Sequence, residues 1–501
     1  MEKRQQWGSR YGFIMAAVGS AVGLGNIWRF PAVAYENGGG AFFLPYLFAI
    51  LTAGIPILIL EFTLGHKYRG SAPLSLFRLN KKAEWLGWWQ LLISFVICTY
   101  YAVIVAWAVK YTIFSFGTQW GSDPGSFLFG DVLKLAEKPG QIGGLVPGVV
   151  IPLLFIWAVT IFVLYRGVSK GIEKLNKIFL PTLIVMFLII VVRALTLEGA
   201  VQGLDAFFKP NWDMIFNGKV WIAAYGQIFF SLSIGFAIMI TYSSYLPKKS
   251  DINNNAFITA FANSGFELLA GIGVFAALGF MANQQGVAVD EVVSSGIGLA
   301  FVVFPSIINE FPGMNGFFGV LFFLSLVFAG MTSLISIVET FVAGIQEKFN
   351  VSRTKAVLTS GLAATIISLL FATNGGLYFL DVVDYFINNF GVVTAGLVEV
   401  VLIAWFFKGL GGLQSHANAI SDLRVGAWWK ICLSVVTPIV LGYMMFDNIR
   451  QNLKENYEGY PTDLIMYAGL LVVVISIVGG ILLSLKGWKT TTKSELEKEG
   501  A

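Results

Sequence analysis

The chain has 501 residues, 56% of them hydrophobic and only 12% charged, with a net charge of +4. Soluble domains carry about a quarter charged residues, so together with a mean hydropathy of +0.74 this excludes a soluble enzyme or nucleic-acid binder and predicts an all-α integral membrane protein. The apolar runs are continuous rather than alternating, which excludes a β-barrel.

Twelve runs approach the ~20 residues a spanning helix needs: 10–36, 41–65, 86–115, 146–165, 171–193, 221–246, 255–281, 316–346, 355–373, 378–406, 429–447 and 464–485. The opening MEKRQQWGSR is too short and polar for a signal peptide, so the first span is expected to be retained.

The first span carries Gly19-Ser20-Ala21-Val22-Gly23-Leu24-Gly25-Asn26 and then Trp28-Arg29-Phe30-Pro31. Glycine costs roughly 1 kcal/mol against alanine inside a helix, and an intramembrane arginine several more unless paired or wetted. Unwound backbone at that depth is tolerated only around a cavity or inside protein, where its free carbonyls and amides can bind an ion or a zwitterion. Close helix packing explains the glycines alone equally well. Asn26 and Arg29 in the same run favour a site.

Before the fifth span, Arg166-Gly167-Val168-Ser169-Lys170-Gly171 is followed by Pro181, a pattern expected either to unwind and admit water or to set a kink. The sixth span repeats the oddity of the first, with Gly226-Gln227-Ile228-Phe229-Phe230-Ser231-Leu232-Ser233-Ile234-Gly235-Phe236 at mid-membrane. Interrupted helices at corresponding places in two halves point to a transport site between inverted repeats. The expected architecture is therefore twelve transmembrane helices with a five-plus-five inverted repeat and discontinuous helices 1 and 6. Residues 1–195 form the first repeat, 196–410 the second, and 411–501 the last two spans and a cytoplasmic tail. The loop 282–315, with Gly286, Gly296, Pro305 and an apolar middle, is expected to be an outer lid.

Orientation follows from Lys and Arg. With both termini inside, the inner segments carry 24 of the 33 basic residues and the outer ones 7, while Arg29 and Lys110 lie within spans. That bias predicts a multi-pass protein of the plasma (inner) membrane with cytoplasmic N- and C-termini. Cys98 and Cys432 read as buried small hydrophobes, and His66 and His416 fall in inner loops, so no His/Cys metal cluster is expected. No HExxH occurs and no acid has a nucleophile partner, which argues against an enzyme.

The mid-membrane polar set is Asn26, Arg29, Glu61, Tyr101, Gln227, Ser231, Ser233, Asn263, Glu267, Thr332, Ser333, Asp384 and Glu399. Oxygen ligands without thiolate or imidazole suit a hard cation, and neutral oxygens suit a monovalent one, sodium being the natural candidate. Arg29 needs a carboxylate, and Asp384 is the best placed. Glu61 and Glu399 read as helix-to-helix hydrogen-bonding groups, Glu267 excepted.

The first-span motif, Glu36-Asn37-Gly38-Gly39-Gly40-Ala41-Phe42 and the run from Gly226 to Ser233 together resemble the neurotransmitter:sodium symporter family, in its bacterial amino-acid branch. The resemblance runs from about residue 4 to 405, the last two spans matching weakly. It implies two sodium ions. One site would use Ala21, Asn26, Ser231, Asn263 and the substrate carboxylate; the other Gly19, Val22, Ala329, Thr332 and Ser333. The carboxylate would also meet the amides of Leu24 and Gly25 and the Tyr101 hydroxyl, and the ammonium the carbonyls of Ala21, Phe230, Ser231 and Ser233. Ile97, Tyr101, Phe230, Ser233, Phe236, Ser333 and Ile337 would surround the side chain. Monoamine members carry Asp where this chain has Gly23, so the substrate is expected to bring its own acid. Glu267 stands where chloride-dependent members have a small hydroxyl residue, beside Tyr46 and Gln227, which implies chloride independence. Arg29 with Asp384 resembles the outer gate. Arg4 with Glu347, joined by Trp7 and Tyr245, resembles the inner one. Ser20 replaces the usual bacterial Asn, Ser231 replaces Thr, and Glu347 replaces Asp.

The implied function is sodium-driven import of neutral, hydrophobic L-amino acids across the lipid bilayer. A passive sodium channel and an amino-acid sensor are the alternatives, the former disfavoured because two unlike broken helices supply no ring of filter loops. No sequence feature sets an oligomeric state.

Overall fold

The structure, a computed structural model, describes residues 5–489. Among these no strand forms, and the extended pairing is confined to the single bridges Gly39–Pro210 and Leu145–Thr373. Ten helices are long and apolar enough to cross a membrane: Gly40–Tyr68, Lys81–Gly117, Pro147–Tyr165, Val168–Leu195, Ile252–Gln285, Asn315–Phe349, Arg353–Ala372, Gly376–Phe406, Ala427–Gly459 and Thr462–Leu485. Arg10–Ala21 and Leu24–Glu36, bent by 54°, form one more broken span. Gly218–Ser231 and Ile238–Ser244 flank the gap 232–237 and occupy the place of the expected sixth span. Spans are numbered below in chain order, and the end bearing the Lys- and Arg-rich loops is called inner.

Most boundaries fall within a few residues of the apolar runs. The eleventh helix outlasts its run because Asp447, at the end of that run and about two turns before Lys454, accepts hydrogen bonds from Arg450 and Gln451, 2.7 Å each, which hold a polar extension helical.

The two breaks are built differently. In the first span only Val22 (ψ 90°) and Gly23 (ψ −167°) leave the helix. In the sixth, Ser233, Gly235 and Ala237 all take positive φ, of 54°, 80° and 61°. The left-handed conformation costs roughly 1–2 kcal/mol for a residue with a β-carbon, so neighbours must hold it. Glu61 accepts the Gly235 amide at 2.8 Å, the Ser94 hydroxyl donates to the Phe236 carbonyl at 2.7 Å, and Ser233 donates to the Ser20 carbonyl at 3.2 Å. All three clamps join it to other spans, two, three and one, so the break is a tertiary product. It also begins later than the run 226–236 suggests. Gly226 stays helical, and a β-carbon there would come no closer than 3.4 Å to the Met444 methyl.

The inner half of the first span, Arg10–Ala21, lies among spans five, seven and eight. At Gly19 a β-carbon would come within 2.4 Å of the Asn176 amide oxygen on span five. The inner half of the sixth, Ile238–Ser244, lies on span two, where a β-carbon on Gly65 would fall 1.8 Å from the Ile240 carbonyl oxygen. Each half-helix thus rests on its own support. On the outer side Gly296–Glu310 forms an apolar helix within the expected lid loop, with the Phe301 ring 6.4 Å from that of Trp28.

Candidate functional site

A cavity of about 660 Å³ runs from the two breaks to the outer face. Ala21, Leu24, Gly25, Ile97, Tyr101, Phe230, Ser231, Ser233, Phe236, Ser333 and Ile337, the residues expected around a substrate, all line it. Its floor is the restarted first helix. The Leu24 amide donates to the Tyr101 hydroxyl at 3.4 Å, and a β-carbon on Gly25 would meet nothing within 4 Å, so the start of this helix faces open space. Unpaired amides at a helix start carry partial positive charge and favour an anion. Nearby, the Ser333 hydroxyl donates to the Ser20 carbonyl at 3.2 Å. A β-carbon on Gly23 would lie 3.0 Å from the Ser333 hydroxyl and 3.3 Å from that of Tyr101. The acids lining the cavity among the described residues are Asp381 and Asp384, at its outer part, where Tyr457 and Tyr460 donate to Asp381 at 3.1 and 2.8 Å. The floor has none.

Against the floor sits a closed triangle of neutral polar groups. The Asn26 amide donates to Asn263 at 2.8 Å and to Ser231 at 3.3 Å, Asn263 donates to Ser231 at 2.5 Å, and the Asn26 oxygen accepts the Gly23 amide at 2.9 Å. The first expected cation set is thereby brought together from spans one, six and seven, with the Ala21 carbonyl alongside. Each amide oxygen has two lone pairs and can hold one hydrogen bond and still face an ion. Of the second set, Gly19 and Thr332 meet across spans one and eight. Thr332, which donates to the Ala329 carbonyl at 2.9 Å, would have its β-carbon 3.5 Å from one placed on Gly19. Among the described residues no group of three or more His, Cys, Asp or Glu forms, and buried neutral oxygens on both sides of the first helix fit a hard monovalent cation.

Glu267 is fully buried beneath this region. It accepts from the Gln227 amide at 2.6 Å and from the Tyr46 hydroxyl, which also donates to Ser264 at 2.9 Å. The other two intramembrane acids serve as helix-to-helix groups: Glu61 caps the sixth-span break and Glu399 accepts from Gln90 at 2.6 Å.

The gates turn out less simply. Arg29 and Asp384 both line the cavity, but no ion pair joins them. Arg29 lies 4.6 Å above the Phe230 ring, while Asp384 accepts from Tyr100 at 2.6 Å and from Asn388 at 2.8 Å. On the inner side Arg4 lies outside the described residues. Glu347 accepts from the amide and hydroxyl of Ser71 at 2.9 and 2.6 Å. Trp7 is buried, its indole donating to the Tyr242 carbonyl at 2.7 Å and its amide to the Tyr245 carbonyl at 3.2 Å. The Tyr245 hydroxyl donates at 2.9 Å to Glu339, which also holds Arg353 through two bonds of 3.0 and 2.7 Å.

The sequence reading missed that Glu339–Arg353 pair, although an acid inside an apolar run and an arginine opening the next one signal it. It also missed that the two histidines meet. His66 lies 2.9 Å from His416 and 2.9 Å from the Pro247 carbonyl, so the chain that leaves span six is tied to the inner helix Leu410–Ile420.

A model of the sodium:neurotransmitter symporter family matches residues 4–123 and 118–490. An uncharacterized sodium-dependent transporter of Methanocaldococcus jannaschii is 42% identical over 489 residues, covering 97% of this chain and 99% of the relative. A sodium- and chloride-dependent creatine transporter of Bos taurus is 31% identical over 507 residues, covering 91% and 79%. A sodium-dependent dopamine transporter of Bos taurus is 29% identical over 499 residues, covering 92% and 71%.

Proposed function

Because the chain belongs to the sodium:neurotransmitter symporter family, and is therefore a multi-pass sodium-dependent transporter and not an enzyme, we propose that its cargo is a neutral L-amino acid with an apolar side chain. The observation that carries this is the floor of the cavity. The amides at the start of Leu24–Glu36 and the Tyr101 hydroxyl offer donors for a carboxylate, and no side-chain acid stands there for the ammonium of a simple amine. The ammonium is met by backbone carbonyls freed at the sixth-span break. Ile97, Phe236 and Ile337 leave an uncharged wall for the side chain.

Two sodium ions accompany it. The first sits in the Asn26, Ser231 and Asn263 triangle with Ala21 and completes its shell with the substrate carboxylate, so neither binds well alone. The second sits between Gly19, Val22, Ala329, Thr332 and Ser333 and fixes the first helix to span eight. Glu267 supplies the negative charge that chloride would bring, which makes transport chloride-independent. Alternating access then moves the two five-span repeats against each other, with both termini cytoplasmic in the plasma membrane. Arg29 and Asp384 approach as the outer side closes.

Proteoliposomes with an inward sodium gradient should accumulate labelled leucine or tryptophan above the external concentration, and replacing chloride with gluconate should leave the rate unchanged. Moving one charge through 100 mV is worth about 2.3 kcal/mol, so two ions sustain a large gradient. Equilibration without accumulation would sink the symport reading.

A further inference from the structure

Resting on the second sodium site just described, one buried group next to it has no assigned task. Asn176, on the inner half of span five (Val168–Leu195), is fully buried, and its side-chain oxygen has no hydrogen-bond partner. The orientation of the amide is fixed by chemistry. Its nitrogen donates to the Ile172 carbonyl at 2.9 Å, and turning the group over would set oxygen against oxygen there. The free oxygen is left facing Gly19, so near that a β-carbon on that residue would approach it to 2.4 Å, with the Thr332 β-carbon 3.5 Å from the same point. Gly19 and Thr332 both belong to the second cation set. A buried acceptor without a donor is costly.

We propose that Asn176 is a further ligand of the second sodium ion, presenting its amide oxygen from span five. The ligands named so far come from spans one and eight. A third span changes what the ion does, because binding then ties span five, with its Gly171 and Pro181, to the first helix, and release requires span five to draw back. A neutral amide is suited to this task. It adds a hard oxygen without a charge that would hold the ion too tightly to leave.

The test uses the purified full-length protein in detergent, titrated with sodium at constant ionic strength and without substrate, reading sodium-dependent thermal protection. Asn176→Leu keeps the branched shape of the side chain and removes the oxygen, and should raise the half-saturating sodium concentration about tenfold. Thr332→Ala serves as the reference for the site and should raise it as well. If Thr332→Ala shifts the titration and Asn176→Leu does not, Asn176 is no ligand and the second site stands without it. If neither variant shifts it, or the unmodified protein shows no sodium protection, the second site itself is wrong. Should Asn176→Leu fail to fold, Asn176→Ser and Asn176→Ala replace it. Serine keeps an oxygen and should need less sodium than alanine, and equal requirements would overturn the proposal.

Discussion

Gly23 decides more than its size suggests. Its α-hydrogens point between the hydroxyls of Ser333 and Tyr101, at 3.0 and 3.3 Å from where a β-carbon would stand. Gly23→Asp would set a carboxylate where the cargo's own carboxylate is proposed to bind. Binding of amino acids should fall by more than about tenfold while amines lacking an acid gain, which competition binding would read. At Glu267 the opposite change is informative. Glu267→Ser removes the resident charge from Tyr46 and Gln227, and uptake should become dependent on chloride; uptake that stays indifferent to chloride removes Glu267 from that role. Asn26→Ala takes one corner from the triangle with Ser231 and Asn263 and should raise the sodium needed for half-maximal cargo binding, again by about tenfold. These positions were legible in the sequence because each is a polar or missing side chain in an apolar run. Asn176 was not. It sits near the inner end of an ordinary span, and only its packing on Gly19 gives it meaning.

At the scale of elements, most spans were readable to within a few residues, since hydropathy and length largely define them, the polar end of the eleventh being the exception. The breaks were readable as regions but not as bonds. Gly226 announces a break and instead continues the helix, while Ser233 and Ala237, ordinary residues, take the left-handed turns because Glu61 and Ser94 hold the chain there. Contacts made across hundreds of positions leave no local mark, which is why the His66 and His416 pair was read as two separate loop residues. That pair yields a pH prediction. Burial, followed by Lys67 and Arg69, holds the His416 pKa below its ordinary value of 6.5. A histidine kept neutral in the folded state contributes stability that is present above its unfolded pKa and lost as pH falls through it. Thermal stability should therefore decline from pH 7 towards 5, and His416→Gln should flatten that slope. The inner half of span six offers a second test. Gly65→Leu would push a side chain into the Ile240 carbonyl and the Ser243 hydroxyl, at a cost of about 1–3 kcal/mol, seen as a lower melting temperature.

For the molecule as a whole, the inner side is held by charge and the outer side stands open. Glu339 and Arg353 form a buried bidentate pair that Tyr245 joins, whereas Arg29 and Asp384 stay apart. Arg353→Ala leaves Glu339 charged and buried without its main partner, and should destabilise the fold by about 3 kcal/mol or more in thermal unfolding. Replacing both with apolar residues should restore most of that loss, since two matched apolar side chains need no counter-ion. The difference between the two ends follows from how their charges are met: at the outer mouth Asp381 and Asp384 are held by tyrosine and amide donors and Arg29 lies over Phe230, whereas at the inner end full charges pair with each other. Trp7 adds a kinetic dimension to this contrast. To admit water from the inner side, its indole must leave Tyr242 and Tyr245 and take roughly 200 Å² of ring surface into solvent, about 5 kcal/mol at 25 cal/mol per Å². On the proposed inner gate, the same tryptophan would hold the inner side shut against a sodium leak when there is nothing to carry.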